Sequence, residues 1–162
     1  MPYRRFDEDD VSSGTRLAKT NSFVKTTCSF PSFLRVLRNI GLFVMRVLVV
    51  DDEDSICSCI ADCLRQEGFD VAEADDGIRA LTIAQEEGTS ISAVVTDVNM
   101  PGMDGIEMWK RMKPLVPHNC KIVFISGLDQ NYLSNGFKFP GDLLQKPFSI
   151  SVLIDKLNSA AR

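Results

Sequence analysis

Apolar and polar positions along this chain change rhythm at Met45. Beyond it, short apolar runs alternate with stretches in which apolar residues recur every three or four positions. The runs are RVLVV (46–50), the weaker FDVAEA (69–74), SAVVT (92–96), KIVFI (121–125) and the short DLLQ (142–145). Their length and β-branched content predict strands, and the first, third and fourth are apolar enough to be buried on both faces. Between them, Ile56, Cys59, Ile60, Cys63 and Leu64 mark one helical face, which Gly68 ends. Ile78, Leu81 and Ala84 mark a second helix, ending at Gly88, and Ile106, Trp109 and Met112 a third, closed by Pro114 and Pro117. A weak segment over 129–135 is a fourth, and Ile150, Leu153, Ile154 and Leu157 form the last. Five strands alternating with five helices predict an α/β fold, a doubly wound five-stranded parallel sheet with helices on both faces.

Residues 1–44 are built differently. From Met1 to about Ser32 the chain is polar and shows no period, which predicts disorder. Phe33, Val36, Leu37, Ile40 and Val44 then repeat at helical spacing, with Arg35 and Arg38 off that face, so a short amphipathic helix is expected over 33–44. The plain reading is a tail that frays or packs loosely on the domain, and the sharper one a docking helix for a partner or an anionic membrane surface. Met45, directly before the first strand, is an alternative translation start. Residues 45–162 are expected to form one domain, long enough for a sizeable core.

Charge follows the same division. Residues 1–44 hold 7 basic and 4 acidic side chains, net +3, and the remainder 11 and 18, net −7. The total of −4 argues against a general nucleic-acid binder, which needs a basic excess to meet phosphates. Five cysteines, three of them (Cys57, Cys59, Cys63) within seven residues, suit no disulfide framework, and a reducing cytoplasm fits better. Asp7, Glu8, Asp9 and Asp10 occupy the place where a signal peptide would be basic. Arg35, Arg38 and Arg46 interrupt the most apolar region well short of the roughly 18 residues a membrane span needs.

Ligands of open parallel sheets bind beyond the carboxyl ends of the strands. After strand one come Asp51 and Asp52, then Glu53 and Asp54; after strand three, Asp97; after strand four, Ser126 and Gly127; after strand five, Lys146 and Pro147. In a parallel sheet all of these lie on one edge. Two carboxylates about 4 Å apart, at an effective dielectric of about 20, repel by roughly 4 kcal/mol, so this gathering calls for a cation. Oxygen ligands without His or Cys point to a hard one, and Mg²⁺ accepts one or two carboxylates while filling its shell with water and phosphate oxygens. A metal site beside a carboxylate, with lysine and hydroxyl converging, suits phosphoryl transfer onto aspartate. Taken alone, Asp51 and Asp52 also read as acids before a helix N-terminus, a reading that falls away once Asp97, Ser126 and Lys146 stand at matching strand ends. His118 reads as a surface residue, and Cys59, Cys63, Trp109 and Met112 as packing.

The motifs VLVVDDE (47–53), VVTDVNMPGMDGIE (94–107), IVFISG (122–127) and QKPF (145–148) resemble the receiver domains of two-component response regulators, across essentially all of 45–162. The resemblance implies the flavodoxin-like (βα)5 plan. It implies that Asp97 accepts a phosphoryl group from a phosphohistidine on a sensor histidine kinase or histidine phosphotransferase, and that Mg²⁺ is bound by Asp52, Asp97 and the backbone carbonyl of Asn99, with Asp51 acting partly through water. Lys146 would contact the phosphoryl group. Ser126 would move to hydrogen-bond it, changing the surface of helix four, strand five and helix five, and Pro147 would follow a cis bond. Such a protein is a phosphoacceptor that assists its own phosphorylation and dephosphorylation, not an enzyme with a separate substrate.

Three departures stand out. Where the family usually places a switch aromatic, three residues before Lys146, this chain has Leu143. NGFKFPGD (135–142) replaces the usual small-residue segment, so a short or irregular fourth helix is expected. Leu128 cannot orient a hydrolytic water. The irregular run before KPF is similar to that of some single-domain receivers that act as protease adaptors, which makes a protease-adaptor role one candidate readout. With the last helix ending near Ala161, no output domain is expected; direct DNA binding is not, and the expected product is a changed protein-binding surface. Two rivals remain: a haloacid-dehalogenase-like phosphatase using Asp52 and Asp54, which leaves MPGMDG unexplained, and a pseudo-receiver adaptor that works without phosphorylation.

Overall fold

A computed structural model describes residues 24–25, 44–127 and 138–159. The continuous apolar runs form strands β1 (Arg46–Val50), β2 (Asp70–Ala74), β3 (Ile91–Asp97), β4 (Lys121–Ser126) and β5 (Asp142–Gln145). The helices are α1 (Asp54–Gln66), α2 (Gly77–Glu87), α3 (Gly105–Met112) and α4 (Ile150–Asn158). Their starts and stops have local causes. The Asp76 carboxylate accepts the Arg79 N–H at 2.6 Å, and that of Asp104 accepts the Glu107 N–H at 2.7 Å, each satisfying an orphan donor of a first turn. Beyond α1, Gly68 takes φ +83°, a left-handed conformation that costs glycine nothing.

All five strands are parallel, in the order β2-β1-β3-β4-β5. This is the doubly wound order with its switch point between β1 and β3. Alternation along each strand divides the core in two. Val47, Val49, Ala93, Val95, Val123 and Ile125 face α1 and α4, while Leu48, Val50, Val94, Ile122 and Phe124 face α2 and α3. Trp109 and Met112 are buried in the second of these layers, and His118 is exposed, both as expected.

Two positions depart from the expected faces. Cys59 is exposed, and Cys57 is buried in its place. The inward stripe of α1 runs through Ile56, Ile60 and Leu64 with Cys57 and Ala61 beside them, and at 100° per residue Cys59 falls on the other side. Ile78 is 67% exposed. The inward positions of α2 are Gly77, Ala80, Ile83 and Ala84, and Gly77 lies so close to Met103 that an added Cβ would be 3.1 Å from its sulfur. A residue without a side chain takes the inward place, and the isoleucine after it turns out.

Val24–Lys25 forms a two-residue parallel pair with Phe148–Ser149. The remainder of the N-terminal extension, including the expected helix over 33–44, lies outside the described residues, as does the weak helix over 129–135. Among the described residues no helix is long and apolar enough to cross a membrane.

Candidate functional site

The parallel ladder delivers Asp51, Asp97 and Lys146 to one edge. Asp51 follows β1 directly; its N–H donates to the Ala74 carbonyl at 3.2 Å, and its Oδ1 accepts the Glu53 N–H at 2.9 Å. Asp97 closes β3, and its Oδ2 accepts the Asn99 N–H at 2.6 Å. The loop after it is tied back to the sheet: the Val98 N–H donates to the Ile125 carbonyl at 2.9 Å, and the Gly105 N–H to the Val98 carbonyl at 3.0 Å. Lys146 follows β5. Its N–H donates to the Ser126 carbonyl at 2.8 Å, and the Lys146–Pro147 bond is cis, as the resemblance to receiver domains implied.

One ammonium serves two buried carboxylates. Lys146 Nζ lies 2.7 Å from Asp97 Oδ1 and 3.3 Å from Asp51 Oδ2, with 9%, 8% and 2% of the three side chains exposed. Burial pushes the Asp51 carboxyl above the usual carboxylate range. The Glu53 N–H and the Lys146 charge pull it back only in part, and the Asp97 charge adds to the upward push. For Lys146, burial works to lower the pKa, but the hydrogen bond to Asp97 and the charges of both aspartates outweigh it and leave the ammonium raised.

The other expected residues are placed as follows. Ser126 is buried at the end of β4, in register with Gln145. Asp52 and Asn99 are exposed on the same edge. Leu143 is half-buried, in register with Phe124, and packs against the second core layer. Among the described residues, a Cβ added at Gly127 would meet nothing within 4 Å. Among the described residues no group of three or more His, Cys, Asp or Glu side chains gathers closely enough to hold a metal. Two buried carboxylates converging on a single cation, with oxygen as the only donor type, nevertheless suit Mg²⁺, which takes few protein ligands and completes its shell with water. Asp51, Asp97, the neighbouring Asp52 and the Asn99 carbonyl are the groups that would hold it.

Sequence reasoning did not single out Thr96 or Gly105. Thr96 is fully buried and its hydroxyl donates to the Asp97 carbonyl at 2.9 Å, while a Cβ at Gly105 would lie 2.1 Å from that same oxygen. The available signal was a hydroxyl inside the apolar run that precedes Asp97.

The family model for the response regulator receiver domain matches residues 47–158. The chain is 35% identical over 111 residues to the sensor kinase CckA of Brucella abortus, covering 66% of this chain and 11% of that protein. Sporulation initiation phosphotransferase F of Bacillus subtilis is 31% identical, with 68% and 88% covered. Response regulator receiver protein CpdR of Brucella abortus is 32% identical, with 69% and 92% covered. The crystal structure of the receiver domain from the hybrid histidine kinase CckA superposes with a TM-score of 0.62 at 34% identity, over 72% of this chain and 99% of that one. A doubly wound parallel sheet with acids and a lysine at its carboxyl edge defines a class, and the chain belongs to the response regulator receiver domain family of two-component phosphorelays.

Proposed function

We propose that this chain is a single-domain response regulator whose Asp97 accepts a phosphoryl group from a phosphohistidine. The observation that carries the reading is the Lys146 ammonium held between the buried carboxylates of Asp97 and Asp51. In the transfer, an Asp97 oxygen forms a bond to phosphorus as the phosphorus–nitrogen bond breaks, and the imidazole leaves with the electron pair. The Asn99 N–H fixes the orientation of the nucleophile, and Lys146, already within hydrogen-bond reach, neutralises charge on the phosphoryl oxygens. Mg²⁺, when bound, supplies further charge neutralisation to the transferring group.

The donor is a sensor histidine kinase or histidine phosphotransferase, a reading supported by relatives that carry the names sensor kinase and phosphotransferase. The added charge, about −1.5 to −2 near neutral pH, then rebalances an edge that one ammonium had shared between two acids. Ser126 hydrogen-bonds the phosphoryl group, and the altered surface around β4, β5 and α4 binds a protein target. Leu143 replaces a rotating aromatic there, so rearrangement of main chain and serine carries the switch.

The test is labelling by phosphoramidate or by a phosphorylated histidine kinase in the presence of Mg²⁺, with the adduct located by mass spectrometry. The wild-type chain is expected to label on Asp97, and Asp97→Asn to abolish labelling. An adduct on Asp52 would favour the phosphatase reading, and no adduct under any donor the pseudo-receiver.

A further inference from the structure

We infer that Thr96 is a positioning residue for the acceptor, an inference that rests on the phosphoacceptor reading of Asp97. The β1–β3 register ends with Val50 opposite Thr96, so the Asp97 carbonyl lies one residue past the last pair with that neighbour. On its other side β3 continues, with Asp97 opposite Ile125. The Asp97 carbonyl is a strong acceptor at the edge of a closed core, and the Thr96 hydroxyl donates to it at 2.9 Å. Thr96 is itself fully buried. Gly105 closes over the pair: an added Cβ would lie 2.1 Å from the carbonyl oxygen and 3.0 Å from the Thr96 hydroxyl.

The peptide plane after Asp97 is thus held at both ends, by the Val98 N–H donating to the Ile125 carbonyl at 2.9 Å and by the Thr96 hydroxyl donating to the Asp97 carbonyl, and the second of these comes from a side chain. That plane leads to Val98 and on to the Asn99 N–H, which grips the Asp97 carboxylate at 2.6 Å. The Thr96 hydroxyl therefore sets the pose of the nucleophile through the main chain and touches no reacting atom. Valine, of nearly the same shape, fills the space but leaves the carbonyl without this donor. The carbonyl then turns toward another donor and takes the carboxylate off its line toward the Lys146 ammonium and the incoming phosphorus, a displacement to which transfer rates are steeply sensitive.

The experiment compares full-length wild type, Thr96→Val and Thr96→Ser. With phosphoramidate and Mg²⁺, Thr96→Val is expected to label about tenfold more slowly at a similar half-saturating donor concentration, a loss well within the effect of misplacing a reacting group. Thr96→Ser, which keeps the hydroxyl, is expected to restore most of the rate. Equal rates in wild type and Thr96→Val, or failure of the serine to rescue, would overturn the assignment. Carboxyl carbon NMR of the metal-free chain gives a readout that needs no phosphorylation. The Asp97 resonance should move in Thr96→Val, return in Thr96→Ser, and leave Asp155 unchanged; an unmoved resonance sinks the inference even if no donor labels the wild type. Absence of wild-type labelling with a moved resonance would instead fault the phosphoacceptor reading alone. If Thr96→Val does not fold, Thr96→Ala removes the same hydroxyl with less bulk and is held to the same outcomes.

Discussion

Lys146 holds two carboxylates with one charge, and the stability of the edge depends on that arrangement. Lys146→Met would leave Asp51 and Asp97 buried without a cation, and stability of the metal-free protein should fall by about 3 kcal/mol at neutral pH. Denaturant titration should show part of the loss recovered in acid, where the carboxyls take up protons. Asp51 behaves in the opposite sense. Its folded-state pKa is raised, so its stabilising contribution is complete below its unfolded pKa and disappears as pH rises through the folded value. Near neutrality its charge is a net liability, and metal-free Asp51→Asn is expected to melt above wild type, by a gap that widens as pH climbs out of the acid range. Asp52 is exposed, so Asp52→Asn should change stability by no more than about 0.5 kcal/mol while weakening Mg²⁺-dependent labelling. The acids and lysine were legible in the sequence because parallel topology assigns every strand end to one edge. Which of them share the cation was not, since Asp51 and Asp52 are neighbours in the chain yet differ in burial.

At the scale of elements, β1, β3 and β4 could be read directly because a strand buried on both faces has no choice but continuous apolar residues. The last helix could be read as well, since Ile150, Leu153, Ile154 and Leu157 are all buried against the sheet. The faces of α1 and α2 were less legible. Small residues, Ala61 in one and Gly77 and Ala80 in the other, occupy inward positions and carry little hydropathy signal, so larger neighbours such as Cys59 and Ile78 were assigned their places. The start of α3 shows how contact overrides propensity. Replacing glycine by alanine in a helix ordinarily stabilises it by up to about 1 kcal/mol. At Gly105 the new Cβ would lie 2.1 Å from the Asp97 carbonyl oxygen, which is backbone and cannot step aside cheaply. Gly105→Ala is therefore expected to cost about 1–3 kcal/mol in chemical denaturation. It should also slow labelling of Asp97, since the loop must shift to admit it.

For the whole molecule, the decisive quantity is how binding at the edge couples to folding. The native edge gathers oxygen ligands that the unfolded chain scatters, so Mg²⁺ should raise the melting temperature of the wild type. Ion present at 100 times its dissociation constant stabilises by about 2.7 kcal/mol, and chelation should reverse the gain. Asp97→Asn should blunt this response, which calorimetry with and without Mg²⁺ measures. The sheet also separates two apolar layers, and among the described residues the loop that follows the acceptor packs into the one containing α2 and α3, through Val98, Met100 and Met103.

That loop ends at Gly105, pressed against the Asp97 carbonyl, and one turn further along α3 lies the chain's sole tryptophan, Trp109, 4% exposed. The two backbone positions are only about 6 Å apart along the helix axis. Chemistry at residue 97 thus has an indicator needle of its own: a shift in tryptophan emission on phosphorylation, absent in Asp97→Asn, would let the modification be followed by light without any added label.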